Sequence, residues 1–380
     1  MKKAVALALT VALVSSAQAA DKLKVGWLYI GPAGDYGWTY AHDQARKQVE
    51  KTLGVENLIV ESVPEAQAVP YIDQLVKQGA KVIFATSFGY GPSVKEAAKK
   101  YPDVIFGWAT GVERGPNIAN YMADFYQIYY LNGLMAGALT KTNKVGYVAA
   151  VPIPEVKRHI NAFAMGVAAV NPKATVNVTW LKGFYDPNGA KEATESLIAQ
   201  KVDVFAFTED TPTVAQVADK KGLVSFGHYS PMLKYAPKTM ASGQLVDWSI
   251  VYTDFLKKVQ NGTYTSKNLQ NVDYWQLLAD KAVMMGADEK TPINPVFKAK
   301  LQAVKVKTAD LGTLSVYDLV MKRLAQMSKK NPSFDPFKGP IVDRKGNTVI
   351  AKGKVATVAE LTSIEWAAKN VVGNWPNEPK

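Results

Sequence analysis

The feature that most constrains the fold is a repeat in which the chain runs twice through the same series of strands and helices. Apolar, β-rich runs alternate with helical patterns from LKVGWLYI to VIFGWAT, and the series restarts at KVGYVAAV (144–151). QLVKQGAKVIFATS (74–87) also aligns with SLIAQKVDVFAFTE (196–209), with Leu, Gln, Val and Thr repeating in register. Such alternation is typical of a parallel sheet covered by helices on both faces. The repeat therefore predicts two similar α/β lobes.

The apolar periodicity places a helix after each leading strand and suggests where the lobes divide. The helices are predicted near residues 38–53, 67–78, 92–100, 155–170, 188–200 and 212–220. A chain of 380 residues is longer than one hydrophobic core usually serves, which also favours two domains. We predict a first lobe from residues 21–142 with about 249–275, a second lobe from 143–248 with about 276–338, and an edge-covering C-terminal tail at 339–380.

Residues 1–20 have the pattern of a cleaved secretory signal peptide. They combine Lys2 and Lys3, an apolar run from Ala4 to Val14, and a small-residue cleavage site at Ala17-Gln18-Ala19. The apolar run is shorter than the roughly 20 residues that span a bilayer. The chain contains no cysteine, which excludes disulfides and a lipid-modified cysteine at the cleavage site. We therefore predict a soluble periplasmic protein that is not lipid-anchored.

The loops after the predicted strands carry more aromatic and acidic residues than a turn requires. In open parallel sheets, ligands bind outside the carboxyl ends of the strands. A loop built only for turning needs Gly, Pro, Asn or Asp. These loops are GPAGDYGW (31–38), TSFGYGP (86–92), ADFYQ (123–127), VPIPE (151–155), GFYDPN (183–188), TEDTP (208–212) and GHYSP (227–231). Their rings and carboxylates predict a site for a flat guest with N–H or O–H groups in a cleft between the lobes.

Several familiar chemistries have no support in the sequence. There is no GxxxxGK[ST] phosphate loop, no GxGxxG after a strand, no HExxH and no GxSxG. The three histidines, His42, His159 and His228, are too scattered to suggest a metal site. The formal net charge is +12, but the lysines are spread over helix faces and no basic, aromatic-interleaved motif occurs, which argues against nucleic acid. We predict no metal, no cofactor and no enzymatic activity.

Two acidic positions admit more than one interpretation. Asp35 and the pair Glu209-Asp210 could face each other across the cleft as in a glycosidase, or could bind ligand. Asp35 could instead be a turn residue, and Asp210 could cap the helix that follows Thr211-Pro212. Likewise, Trp38 could staple a helix to the sheet, and Phe184 could cover a domain edge.

Five segments of the chain resemble the basic membrane protein family, the purine-receptor-like substrate-binding proteins of ABC importers. They are GPAGDYGWTYAHDQ (31–44), YYLNGLMAGALTKTNKVGYVAAVPIPEV (129–156), NAFAMGVAAVNPKA (161–174), FYDP (184–187) and GPIVDRKGNTVI (339–350). The resemblance runs from about residue 22 to about residue 376. It implies a type I periplasmic-binding-protein fold, with two doubly wound α/β lobes that close on a ligand and deliver it to a membrane permease. It also implies a receptor that works as a monomer.

The resemblance also implies which residues contact the ligand. By motif position, Asp35 and Trp38 would contact a purine base from the first lobe, with Phe88 and Asp124 beside them, and Phe184 and Asp210 would reach it from the second lobe. Together with neighbours in the same loops, the predicted ligand-binding residues are Asp35, Tyr36, Trp38, Ser87, Phe88, Asp124, Phe184, Asp210 and Trp248.

The sequence departs from the nucleoside-binding pattern of that family at two places. Tyr229-Ser230-Pro231 stands where nucleoside-binding relatives carry an aspartate that resembles a ribose clamp, and Trp248 stands near the position of an expected basic residue. Two sugar-holding groups are thus missing from the pattern. We therefore predict a purine nucleobase in preference to a nucleoside. The alternatives are a sugar or amino-acid receptor of the same fold and an exported hydrolase that uses the carboxylates.

Overall fold

A computed structural model describes residues 22–379, so the predicted signal peptide lies outside the described residues. The strands are β1 (Lys24–Leu28), β2 (Glu56–Val60), β3 (Val82–Ala85), β4 (Ile105–Ala109), β5 (Ile118–Ala123), β6 (Lys144–Ala149), β7 (Thr175–Trp180), β8 (Val204–Phe207), β9 (Val224–Gly227), β10 (Met240–Val246), β11 (Asp273–Gln276), β12 (Val283–Met285), β13 (Lys305–Thr308), β14 (Gly312–Ser315), β15 (Ile341–Val342), β16 (Thr348–Ile350) and β17 (Val371–Val372). None of the helices in this range has the length and apolar character needed to cross a membrane.

The helices confirm the predicted ones to within about two residues where both exist. They are α1 (Trp38–Leu53), α2 (Ala68–Lys77), α3 (Gly91–Lys100), α4 (Tyr126–Leu139), α5 (Pro154–Val170), α6 (Pro187–Ala199), α7 (Thr213–Lys220), α8 (Ser249–Gln260), α9 (Pro295–Ala303), α10 (Val316–Met327) and α11 (Val358–Leu361). Proline at the start of α5 and α6 suits the first turn of a helix, where its missing N–H would have no partner in the helix.

Two main sheets repeat the same strand order. Within residues 22–379, the first has the order β11-β5-β4-β3-β1-β2 and the second has the order β12-β10-β9-β8-β6-β7-β17. All pairs are parallel except β10 with β12. In each sheet the order reverses beside the first strand, between β1 and β3 and between β6 and β8. Loops at the carboxyl ends of these strands diverge and leave a crevice, which is where doubly wound sheets bind ligands.

Helix α4 corrects the predicted division between the lobes. The prediction placed residues 126–139 in the first lobe, but α4 packs against α5 and against β10 of the second sheet. Its close contact with α5 depends on Gly133, where a Cβ would lie 2.1 Å from the carbonyl oxygen of Phe163. The chain therefore crosses between the lobes before α4, not after it. A second crossing leads from β10 to α8, which packs against α1 of the first lobe.

The C-terminal tail is joined to the second lobe by buried polar contacts. Strand β17 pairs with β7 at the edge of the second sheet. The fully buried Lys157 of α5 forms an ion pair with Glu365 and donates to the carbonyl of Pro376 at 2.7 Å. Asn161 accepts a bond from the backbone N–H of Ala368 at 2.8 Å. These bonds hold residues 358–376 against the helix that begins at the crevice.

Candidate functional site

A cavity of about 350 Å³ lies where the two lobes meet, at the carboxyl ends of the strands. The first lobe lines it through loops that follow β3 and β4 and through strands β5 and β11, and the second lobe lines it through the start of α5 and through α11. The lining residues used below are Phe88, Thr110, Val112, Asn120, Ile153, Glu155, Arg158, Asp273, Trp275, Val358, Ala359 and Thr362. We call this space the outer cavity.

A narrower space, the inner recess, adjoins the outer cavity and shares four of its lining residues. Its walls are Ile30, Trp38, Ser87, Phe88, Thr110, Ile153, Glu155, Phe184 and Tyr229. Its volume is about 20 Å³, which is room for about one water molecule. Four aromatic rings from both lobes thus converge here, and a flat guest would enter by separating them.

The outer cavity contains polar atoms that have no hydrogen-bond partner among residues 22–379. They include Thr110 Oγ1 and Asn120 Oδ1, both of which are buried. Thr110 also has a positive φ of 54°, an uncommon conformation for a β-branched residue. Strained backbone and unpaired polar atoms concentrate at functional sites. Both residues are therefore suited to hydrogen-bond a ligand in the cavity.

Asp35 lies beside the cleft, but it caps a helix instead of lining the cavity. Its carboxylate accepts bonds from the backbone N–H groups of Gly37 (2.8 Å), Thr39 (3.0 Å) and Tyr40 (2.9 Å). A carboxylate suits the amino terminus of a helix because the N–H groups there have no partner inside the helix. Burial raises the pKa of Asp35 to about 6 although these N–H bonds lower it. The glycine-rich loop after β1 thus serves first to begin α1.

Asp210 joins the lobes instead of capping α7. Its Oδ1 accepts a bond from the backbone N–H of Trp38 at 3.2 Å, and its own N–H donates to the carbonyl of Phe184 at 2.7 Å. Burial, together with the nearby charge of Asp35, raises the pKa of Asp210 well above its ordinary value. The two carboxylates therefore do face each other across the cleft, but both are engaged by α1 and neither lines the cavity.

Trp38 and Trp248 pack against each other, and only Trp38 reaches the inner recess. The Trp38 ring donates through Nε1 to the carbonyl of Thr86 at 2.5 Å and lies edge-on to Trp248, with ring centroids 5.5 Å apart. Trp248 is fully buried and stacks on His42 at 4.5 Å. The structure therefore places Trp248 in the packing layer behind Trp38, where it cannot touch a ligand without rearrangement. Trp38 both packs the helix and lines the recess.

Phe88, Ser87 and Phe184, three of the predicted ligand-binding residues, line the inner recess. Phe88 follows β3, is half-buried and faces both the recess and the outer cavity. Ser87 donates to Glu65 Oε1 at 2.5 Å, so its hydroxyl hydrogen is already used. Phe184 enters from the second lobe. The flat faces available to a ligand thus come from both lobes.

Tyr36 lies at the rim, outside both spaces. It stacks on Tyr40 with centroids 5.1 Å apart and meets Tyr235 of the second lobe edge-on at 5.6 Å, and Lys234 Nζ lies 4.4 Å from its ring centroid. These contacts bridge the two lobes, and none of them faces the cavity.

Asp124 stands behind Arg158 and holds it in place. Its Oδ2 lies 2.8 Å from Arg158 Nε, and its Oδ1 lies 3.1 Å from His159 Nε2. Burial alone would raise the pKa of Asp124, but the charge of Arg158 and the bond from His159 outweigh it and lower the pKa below its ordinary value. The predicted ligand contact is thus replaced by an ion pair. Arg158, not Asp124, lines the outer cavity.

The Bmp family, described as ABC transporter substrate-binding protein, PnrA-like, matches residues 22–313. The chain belongs to the Bmp family. It is 35% identical over 367 residues to a purine-binding protein of Brucella abortus, covering 96% of this chain and 97% of that one.

Two further likenesses are to a curated relative and to a solved structure. A putative ABC transporter glucose-binding protein of Haloferax volcanii is 36% identical over 245 residues, covering 64% of this chain and 63% of that protein. The structure of an ABC transporter solute-binding protein from Aeropyrum pernix superposes with a TM-score of 0.68 at 17% identity, covering 80% of this chain and 91% of the other. The two-lobed Bmp chain has the type I periplasmic-binding-protein fold.

In this Bmp-family protein, one carboxylate that was not among the predicted ligand-binding residues lines both spaces. Glu155, the second residue of α5, lines both the inner recess and the outer cavity. Its loop was selected as a strand end, but glutamate after proline is also an ordinary first-turn residue of a helix. Burial raises the pKa of Glu155 to about 7, although Arg158 opposes the shift. The structure therefore makes Glu155 a stronger candidate for ligand contact than Asp35 or Asp210.

The C-terminal tail also supplies part of the cavity wall. Val358 and Ala359 of α11 line the outer cavity, as does Thr362 just after this helix. The carbonyl of Leu361 accepts a bond from Arg158 Nη1 at 2.7 Å. The family match ends at residue 313, before this segment. No sequence motif indicated that α11 lines the cavity, because its position depends on contacts with α5, which is about 200 residues away in sequence. Trp275 of β11 was missed for the same reason.

Metal binding has no support in the described structure. Within residues 22–379, no group of three or more His, Asp and Glu side chains is arranged to hold a metal ion. His42, His159 and His228 are all fully buried. His159 bonds to Asp124, and His228 lies 2.8 Å from the hydroxyl of Tyr129. The three histidines therefore serve the packing of the lobes.

Proposed function

We propose that this protein captures a purine-type ligand between its lobes and delivers it unchanged to the permease of an ABC importer. It would act as a periplasmic monomer without cofactor or metal. The observation that carries this proposal is the convergence of Trp38, Phe88, Phe184 and Tyr229 from both lobes at one recess. Stacking on such rings contributes on the order of 1–3 kcal/mol per base. The likeness to the purine-binding protein of Brucella abortus supports the same ligand class.

The closing motion follows from the division of contacts between the lobes. Phe88 and Thr110 belong to the first lobe, whereas Glu155 and Phe184 belong to the second. A ligand bound to one lobe alone would lose half of these contacts, so it shifts the population toward the closed form. A permease that recognises the closed form would then distinguish loaded from empty protein.

The preference for a nucleobase rests on the groups that stand where a ribose clamp would be. The Tyr229 hydroxyl donates to Glu155 Oε1 at 3.3 Å, and the Ser230 hydroxyl donates to the carbonyl of Gly37 at 3.2 Å. Trp248 is fully buried. None of these three side chains therefore offers a free acceptor pair for the vicinal hydroxyls of a ribose.

A ligand panel tests this preference directly. Hypoxanthine, guanine and adenine should each bind at least about tenfold more tightly than their nucleosides, since the nucleosides add a sugar that finds no dedicated partners. Calorimetric titration measures each affinity. Tighter binding of inosine, guanosine or adenosine would reverse the ranking.

Glucose belongs in the same panel, because the relative from Haloferax volcanii is named as a putative glucose-binding protein. Aromatic rings also stack on pyranose faces, so the rings alone do not separate a sugar receptor from a purine receptor. Binding of glucose with no binding of any purine would favour the sugar receptor. An amino-acid receptor would likewise show itself by binding an amino acid and no purine.

A hydrolase that uses Asp35 and Asp210 receives little support from the geometry. Both carboxylates are bonded to N–H groups of α1, and neither lines the cavity. Glu209 is buried and accepts a bond from the Thr211 hydroxyl at 2.8 Å. A general acid must reach the bond it cleaves. These positions instead favour a receptor that releases its ligand intact.

Filling the outer cavity from the tail should weaken binding. Ala359 lies on α11 and lines the cavity, so an indole there would occupy part of the space of about 350 Å³. We expect Ala359→Trp to lower nucleobase affinity by about tenfold or more, without lowering the unfolding temperature, because the residue is exposed. Ala351→Trp, at another exposed tail position, is the matched control. Equal affinities in both variants would remove α11 from the site.

A further inference from the structure

Glu155 occupies the junction between the inner recess and the outer cavity. It lies on the walls of both spaces, in the first turn of α5, together with Phe88, Thr110 and Ile153. Any flat ring that stacks in the recess and extends into the cavity must pass this carboxyl group. No other carboxylate among the described residues lines the inner recess.

The Glu155 carboxyl group has few hydrogen-bond or ion-pair partners among the described residues. Within residues 22–379, one hydrogen bond reaches it, from the Tyr229 hydroxyl at 3.3 Å, and no ion pair includes it. Arg158, whose charge acts on Glu155, is already paired with Asp124 and bonded to the carbonyl of Leu361, and its guanidinium carbon lies 5.3 Å from the Trp275 ring centroid. Glu155 is half-buried, and carboxylates withdrawn from water are normally paired or strongly hydrogen-bonded. The Glu155 carboxylate can therefore accept a further hydrogen bond from a ligand.

From this position we propose that Glu155 is the residue that selects the ligand, by accepting a hydrogen bond from a ring or exocyclic N–H of the purine. The inference rests on the proposed purine-binding function. It assigns recognition of the hydrogen-bonding edge of the purine ring to one side chain. An ionised carboxylate accepts and cannot donate. It therefore favours planar heterocycles with an N–H on the edge that enters the junction, and it rejects rings of the same size that carry none.

From the sequence, Asp35 and Asp210 were the carboxylates predicted to accept hydrogen bonds from the ligand. Both of those carboxylates already accept from α1, so a ligand would have to compete with backbone N–H groups for them. Among the described residues, Glu155 accepts one long bond, from the Tyr229 hydroxyl at 3.3 Å, so a ligand N–H meets a weaker competitor there. Its place on the first turn of a buried helix also fixes its backbone, which makes the acceptor preorganised.

The charged and titratable groups around Glu155 determine how its ionisation responds to a ligand. They are Arg158 on α5, Asp124 after β5, Asp210 after β8, Tyr229 after β9, Tyr129 on α4 and Tyr147 on β6. Burial raises the pKa of Glu155 to about 7 and raises the pKa values of the three tyrosines, which therefore stay neutral near that pH. A ligand N–H that bonds to the carboxylate favours the ionised form and lowers this pKa. Binding should then release a proton, and affinity should be complete above about pH 7 and fall as the pH drops below it.

The experiment is calorimetric titration of hypoxanthine into the wild-type protein at about pH 7, repeated in buffers of different ionisation enthalpy to count the protons released. We expect release of a fraction of a proton and an affinity that falls by up to about tenfold per pH unit below pH 7. In Glu155→Gln we expect affinity to fall by about tenfold to a hundredfold and the proton release to disappear. Glu192→Gln, on the exposed side of α6, is the matched control and should change neither quantity.

The outcomes separate this inference from the proposed function. If no nucleobase binds the wild-type protein, the purine-binding proposal fails. If nucleobases bind without proton release and bind Glu155→Gln equally well, the role of Glu155 is overturned while purine binding stands. Even if Glu155→Gln folds poorly, hypoxanthine binding to the wild-type protein at about pH 7 without proton release would overturn the role of Glu155.

Discussion

Replacing Gly37 with alanine is expected to prevent closure and to lower purine affinity by about a hundredfold or more. Gly37 lies in close contact with the second lobe: a Cβ built there would lie 2.5 Å from Asp210 Cα and 2.8 Å from its carbonyl carbon. These are backbone atoms and cannot rotate aside, so the lobes would have to separate. Calorimetry measures the affinity, and small-angle X-ray scattering measures the ligand-driven contraction that the variant should lack.

The matched control for Gly37→Ala is Gly34→Ala in the same loop. A Cβ at Gly34 would meet no atom within 4 Å, so this variant should bind and contract as the wild type does. Thermal unfolding of both variants without ligand checks that neither substitution disturbs α1. If Gly37→Ala retained full affinity and still contracted, the closed arrangement seen here would not be the ligand-bound one.

Removing the Phe88 ring should also lower affinity strongly. Phe88 is the only aromatic residue that the described structure places on the walls of both the inner recess and the outer cavity. Loss of one stacking face costs on the order of 1–3 kcal/mol, so Phe88→Ala should bind purine about tenfold to a hundredfold more weakly. Because Phe88 is half-buried, its removal should cost less stability than removal of Trp38, which packs against His42, Tyr229 and Trp248.

Two comparison variants sharpen the Phe88 experiment. Phe88→Tyr keeps the flat face and should retain most of the affinity. Tyr185→Ala removes a ring that is 50% exposed and outside the cavity walls, and it should leave affinity unchanged. A normal affinity in Phe88→Ala would show that the base does not stack on this ring.

Much of the fold follows from local sequence patterns. The alternation of apolar runs and amphipathic helices predicted the bounds of α1 and α5 to within about one residue. Each helix has its own apolar periodicity and its own start signal. Elements joined across long distances were harder to place. Strand β11 pairs with β5, which is about 150 residues away in sequence, and the four residues of β11 contain no pattern that predicts this pairing.

The position of α4 shows how a local pattern can mislead. Its sequence is apolar around the whole helix, so it has no polar face to show which neighbours it meets. The glycine that lets it approach α5 acquires meaning only when both helices are in view. The predicted boundary after residue 142 therefore placed the helix on the wrong side of the crossing.

The candidate site was predicted unevenly for a physical reason. Aromatic residues after strands exceed the needs of a turn, and Trp38, Phe88 and Phe184 do line the recess. Carboxylates are less informative, because the start of a helix and the edge of a ligand both present N–H groups. Asp35 serves the helix start, while Glu155, which looked like an ordinary first-turn residue, faces the cavity. Sequence alone cannot rank two acceptors when the donors are placed by tertiary structure.

The central claim is that the crevice between the lobes holds a purine and releases it intact. The most direct measurement is equilibrium dialysis of the purified protein against hypoxanthine, followed by chromatography of the bound material after mild denaturation. The account predicts about one hypoxanthine per chain, recovered unchanged. Recovery of a different compound would indicate an enzyme, and failure of hypoxanthine, guanine and adenine all to bind would contradict the account.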